Sequence, residues 1–221
     1  FFSTLVPSEG CRPQPMDAAW RRDLAAVLHP ATLAHLEAEL AEEAAAEAED
    51  APPFVLFGEE AGESDGDGVT AVSAALAQEP GLGLCVEDVP LPFRSKLWFK
   101  VLRPGGKAVP VVEGKSQRGH GDVIWAAAEY SAEALVDGAI AGLVGPLPGR
   151  RVLEVGAGVG LPSCAALRCG ADVVASDLPD LWRLLALASS LALNQKVGGA
   201  DHGPKGRAQV VGHAWGESCD A

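Results

Sequence analysis

From Asp23 to Val89 the chain has no lysine or arginine, while sixteen residues are acidic. A stretch of that sign repels phosphates, which excludes general nucleic-acid binding through it. The remainder is close to neutral, and the whole chain carries a formal charge of -13. No two of the five cysteines (Cys11, Cys85, Cys164, Cys169 and Cys219) form a Cys-x-x-Cys pair. Their odd number and their spacing argue against a disulfide framework and against a zinc site; reduced thiols in a cytoplasmic protein are expected. The histidines, His29, His35, His120, His202 and His213, are scattered without ligand spacing, so no metal is expected. No apolar run reaches membrane-spanning length, and no basic segment leads into an apolar one at the start, so no membrane contact is expected. The chain opens FFSTLVPSEG without a methionine, which reads as a fragment boundary.

What is there suffices for a core. With 221 residues and 48% apolar side chains, one α/β domain or a smaller domain with an extension is expected. Residues 1–92 read as a helical, acidic N-terminal extension. Pro30 divides its helices, and Leu33, Leu36 and Leu40 recur at helical spacing. GEEAGESDGDG at 58–68 has a linker's composition, and VTAVSAALAQEP reads as a short helix. From residue 93 the pattern changes. KLWFKVL places Leu97, Phe99 and Val101 on one face, RPGG orders Pro104 and Gly105 as a type II turn does, and KAVPVVE returns. This predicts a β-hairpin over 96–113, with Pro110 on an edge. Residues 123–144 read as one long alanine-rich helix. RRVLEV then reads as a buried strand, GLPSCAALRCG as a helix with Pro162 at its start and Gly170 at its end, ADVVASD as a strand, PDLWRLLALASSLALNQ as a helix and RAQVVGHAW as a strand. Strand and helix in alternation predict a parallel, doubly wound sheet.

The loop Gly156-Ala157-Gly158-Val159-Gly160 lies between a predicted strand and a predicted helix. Glycines there allow positive φ and let a ligand approach the backbone. Asp177, twenty-one residues after Gly156, falls at the end of the next strand, where a carboxylate suits a ribose diol. A nucleoside-containing cofactor is therefore expected at the carboxyl ends of the strands. The dinucleotide fingerprint wants a glycine or alanine at 161, which is Leu161, and a P-loop's Gly-Lys-Ser/Thr is absent.

The pattern that fits is acid-x-Gly-x-Gly-x-Gly, with Glu154 as the acid. It resembles the first motif of class I S-adenosylmethionine methyltransferases. IWAAAEYSAEAL before the loop, GAGVGLPSCAALRCGADVVASDLPD through it and VVGHAWGE after it are similar to the seven-β-strand protein-lysine methyltransferases. The branch they most resemble includes nicotinamide-N-methyltransferase-like proteins and the N-terminal methyltransferases of translation elongation factor 1-alpha. The resemblance spans about residues 93–216. It implies a Rossmann-like sheet and S-adenosyl-L-methionine as cofactor. Gly156, Ala157 and Gly158 would line the methionine and ribose part, with Gly160 completing the motif. Asp177 would hold the ribose hydroxyls with Leu178 beside it, Trp125 would pack near the cofactor and Trp215 beside the adenine. Trp125 reads equally as core. Glu154 is expected to orient the loop, not to act as a base.

The resemblance further implies transfer of methyl to a protein lysine or N-terminal amine, with a protein substrate, a translation factor being one choice, and a monomeric enzyme. In that family a fourth strand carries the acceptor-positioning stretch some dozens of residues after WG, whereas this chain ends five residues after Gly216. The expectation is thus the first half of the sheet at 93–221, with catalytic residues beyond it. The alternative is a catalytically inactive, methyltransferase-like interaction module. VLRPGGKAV looks like a late methyltransferase segment, but it precedes the loop by about fifty residues, and the hairpin turn explains it. Cys164 and Cys169 read as buried and helix-end residues. The acidic run at 37–67 reads as solvated surface.

Overall fold

A computed structural model describes residues 18–49, 66–89, 97–114, 121, 123–197 and 206–216. His120, Cys11, Cys219 and most of the linker expected near 58–68 lie outside the described residues. Three N-terminal helices come first: α1 (Ala18–Ala25), α2 (Pro30–Glu49) and α3 (Gly66–Ala77). Then follow the strands β1 (Leu97–Leu102) and β2 (Val109–Gly114) and the helices α4 (Ala126–Val136) and α5 (Ala139–Val144). The chain continues through β3 (Arg151–Val155), α6 (Leu161–Arg168), β4 (Asp172–Asp177), α7 (Leu181–Lys196) and β5 (Ala208–Gly212).

β1 and β2 pair antiparallel, Leu102 opposite Val109 and Leu97 opposite Gly114. At the turn, the Gly106 N–H donates to the Arg103 carbonyl, with Gly105 at positive φ. The other edge of β2 faces α7. There Ser190 Oγ accepts from the Val112 N–H at 2.8 Å, and Asn194 Nδ2 donates to the Pro110 carbonyl at 2.7 Å. Pro110 has no N–H to offer, so its place on this edge leaves no donor unpaired.

β3, β4 and β5 form a parallel sheet in that order. Val173, Ala175 and Val210 are buried beneath α6 and α7, while Leu153, Val155 and Gln209 on alternate positions are exposed. The order of these three strands does not reverse, and successive crossovers of one hand place their helices on one face, as in one half of a doubly wound sheet. One difference from expectation is β3, which is not a buried strand. Among the described residues it pairs with β4 alone, leaving Leu153 66% and Val155 55% exposed.

The opposite edge of the sheet is closed from the N-terminal region. Leu28 forms a parallel bridge with Val210, whose N–H donates to the Val27 carbonyl at 2.7 Å. Leu24, Val27, Leu28 and Leu36 join the core that holds Val173, Leu184 and Leu187. The helical extension thus shares one hydrophobic core with the sheet. A second difference concerns the helix expected over 123–144. It is two helices, because Gly138 takes φ 82° between α4 and α5, a conformation that ends a helix.

Candidate functional site

The site stands at the carboxyl ends of β3, β4 and β5. Gly156, Gly158 and Gly160 have φ of 70°, 55° and 76°, so a side chain at any of them would be strained. Two need the missing Cβ for space as well. At 160 it would lie 2.3 Å from Leu187 Cδ1, and at 158 it would lie 3.0 Å from the Gly121 carbonyl oxygen. At 156 it would meet Trp215 Cζ2 at 3.7 Å, so this indole lies across the start of the loop.

The loop is bound to the end of β4. The N–H groups of Gly156 and Ala157 both donate to the Ser176 carbonyl, at 2.9 and 3.0 Å. The Gly158 N–H donates to Asp177 Oδ2 at 2.6 Å. Asp177 is buried, and its other oxygen accepts from the Leu178 N–H at 2.8 Å and from Arg183 Nη1 at 3.3 Å. A carboxylate has about four lone-pair positions, so three donors leave it able to accept from a ligand hydroxyl. The His213 N–H donates to the Asp177 carbonyl at 2.8 Å, which joins the end of β5, and through it Trp215, to the same point.

Glu154 points elsewhere. Its Oε2 accepts from both the N–H, at 2.9 Å, and the hydroxyl of Ser163. Ser163 lies in the first turn of α6, whose N-cap Gly160 has no side chain to do this. Burial raises the Glu154 carboxyl above its usual range. The Ser163 bonds oppose that rise, and the nearby Asp177 charge adds to it.

Trp125 is the N-cap of α4 and is 53% exposed. It follows Ile124, whose N–H donates at 3.1 Å to Glu113, a buried carboxylate that also pairs with Lys100. Leu178 is exposed beside Asp177, and Trp215 is 76% exposed.

The structure therefore brings Gly156, Ala157, Gly158, Gly160, Asp177, Leu178 and Trp215 together. Glu154 supports this group from behind, and Trp125 stands at the start of α4. Sequence reasoning missed Arg183, Gly121, Glu113 and Ser163. For Arg183 a signal existed. A cation in the first turn of a helix opposes the macrodipole, which suggests an acidic partner. Among the described residues no group of three His, Cys, Asp or Glu could hold a metal ion.

The arrangement bears on which ligand the loop could hold. A pyrophosphate wants free loop N–H groups and an open helix N-terminus. Here the N–H groups of residues 156, 157 and 158 are engaged by β4, and the Glu154 carboxylate already occupies the start of α6. A second anion there would meet repulsion, whereas an adenosine with a free diol would meet Asp177.

No family model matches the chain. Among curated proteins it is similar to histone-arginine methyltransferase METTL23 of Rattus norvegicus, 41% identical over 71 residues, which are 32% of this chain and 28% of that protein. The METTL23 of Homo sapiens is 39% identical over 71 residues, 32% of this chain and 33% of the relative. That of Xenopus laevis is 40% identical over 72 residues, 32% and 27% respectively. The match thus spans about a third or less of each relative. Over that segment, the chain resembles methyltransferases.

Proposed function

We propose that the chain binds S-adenosyl-L-methionine and serves transfer of its methyl group to a nitrogen of a protein. The observation that carries this is Asp177, fixed against the Gly158 N–H beside a glycine loop whose N–H groups at 156 and 157 are taken by β4 and a helix start that faces the Glu154 carboxylate. The similarity to proteins named histone-arginine methyltransferase supports it. NAD fits less well, for the electrostatic reason given above.

When bound, the cofactor supplies an electrophilic methyl group on a sulfonium. The protein's own share is binding and exclusion. Asp177 accepts from a ribose hydroxyl with its remaining lone pair. Gly156 and Gly158 let the cofactor lie against the backbone. Trp215 and Leu178 offer an apolar wall for the adenine, and an indole such as Trp125 favours a nearby cation. Glu154 holds α6 against the loop and transfers no proton. Methyl transfer to an amine requires that nitrogen to be neutral and aligned, which is a demand on positioning.

The acceptor is proposed as a protein nitrogen. The relatives' names support testing arginine first, beside the lysine or N-terminal amine that the motif resemblance implies. The test is incubation of the protein with S-adenosylmethionine labelled in its methyl group and with histones or a cell extract, followed by acid hydrolysis. Label in methylarginine, methyllysine or a methylated N-terminus supports the proposal and identifies the acceptor. Cofactor binding without any labelled protein would favour an inactive interaction module instead.

A further inference from the structure

Arg183 lies in the first turn of α7, at the end of the helix whose dipole disfavours a cation. Its guanidinium is nonetheless largely buried, as is its partner: the Asp177 and Arg183 side chains are 9% and 13% exposed. Nη1 reaches Asp177 Oδ1 at 3.3 Å. The same side chain fills the space beside Gly121, where a Cβ would come within 2.5 Å of Nε and 3.0 Å of Cζ. Gly121 in turn lays its carbonyl against Gly158, the residue whose N–H holds the other oxygen of Asp177. Asp177, Gly158, Gly121 and Arg183 thus close a ring around one carboxylate.

We infer that Arg183 is a positioning residue for the cofactor's ribose: it fixes the orientation of the Asp177 carboxylate and packs against Gly121, whose carbonyl lies against the glycine loop. Two backbone donors hold Asp177 from one side, Gly158 on Oδ2 and Leu178 on Oδ1. Arg183 adds the third, which leaves one of about four lone-pair positions, on Oδ2, to accept from a ribose hydroxyl. Without it only the two backbone donors hold the carboxylate, so it can tilt between them, and a ribose hydroxyl meets only one orientation correctly. The inference rests on the proposed binding of S-adenosylmethionine.

The probes are S-adenosylhomocysteine and its 2′-deoxy analogue, titrated calorimetrically against the wild type, Arg183→Met, Arg183→Lys, Gly121→Ala and Asp177→Asn. Thermal melts confirm that each variant is folded. The wild type should prefer the ribose form about tenfold, the worth of one hydrogen bond to a charged group. Arg183→Met should lose about that factor for the ribose form and little for the deoxy form, so the preference falls toward one. Arg183→Lys should recover part of it. Gly121→Ala, which keeps the arginine but drives a Cβ into it, should act like Arg183→Met. Loss of affinity for both ligands alike, with the preference intact, would reduce Arg183 to a structural role and overturn the inference. If the wild type shows no preference, or Asp177→Asn binds S-adenosylhomocysteine as well as the wild type, the ribose reading itself falls and the inference with it.

Discussion

Replacing Gly160 by alanine should unfold the glycine loop from below. Gly160 is the N-cap of α6 with φ 76°, and a Cβ there would lie 2.3 Å from Leu187 Cδ1. Leu187 is fully buried in the core, so its side chain has little room to withdraw. The left-handed backbone costs an alanine about 1–2 kcal/mol, and forcing an extra carbon into a packed core costs about 1–3 kcal/mol more. A loss of about 2–5 kcal/mol is expected from these two terms. Gly142 gives the opposite sign. It lies inside α5, and a Cβ added there would meet nothing within 4 Å. Alanine at 142 should therefore stabilise by about 0.5–1 kcal/mol through helix propensity. The assay is urea denaturation followed by circular dichroism at 222 nm on both variants. Equal midpoints for Gly160→Ala and wild type would refute the packing argument. A destabilised Gly142→Ala would show that α5 is not held as described.

Three other outcomes are expected. The folded state raises the Glu154 carboxyl through burial, so its contribution to stability is full below the unfolded value and is lost as pH rises through the folded one. Wild type should therefore lose stability relative to Glu154→Gln as pH rises above the ordinary carboxylate range, and parallel melting curves against pH would contradict this. Ser190→Ala should cost about 1–3 kcal/mol, because it strands the buried Val112 N–H, as a shifted denaturation midpoint would report. Brief alkylation of the native protein, read by mass spectrometry, should mark exposed Cys85 before Cys164, whose thiol is fully buried and pushed up by that burial. Faster labelling of Cys164 would mean that α6 opens readily.

Much of the sheet and most of the candidate site were legible because local signals carried them. Glycine and proline punctuated the elements, the apolar runs ADVVASD and RAQVVGHAW marked strands, and the spacing from Gly156 to Asp177 measured one strand–helix–strand unit. What was not legible depends on distant neighbours. The apolar run of β3 reads as buried, yet its exposure is decided by whether another element lies beside it. The alanine-rich pattern over 123–144 is continuous, and only the conformation of Gly138 divides it. Glu154 stands in a cofactor motif by position, but its carboxylate turns to Ser163 because the start of α6 offers an uncapped N–H. Arg183 and Gly121 meet across sixty-two residues of sequence, which no periodicity records.

The central claim is that the loop and Asp177 take an adenosine cofactor without a pyrophosphate. Calorimetric titration of this chain with S-adenosylmethionine, S-adenosylhomocysteine and NAD tests it most directly. The account predicts saturable binding of the first two, none of NAD, and loss of binding in Asp177→Asn. Binding of NAD alone, or of S-adenosylhomocysteine with equal affinity in Asp177→Asn, would contradict it.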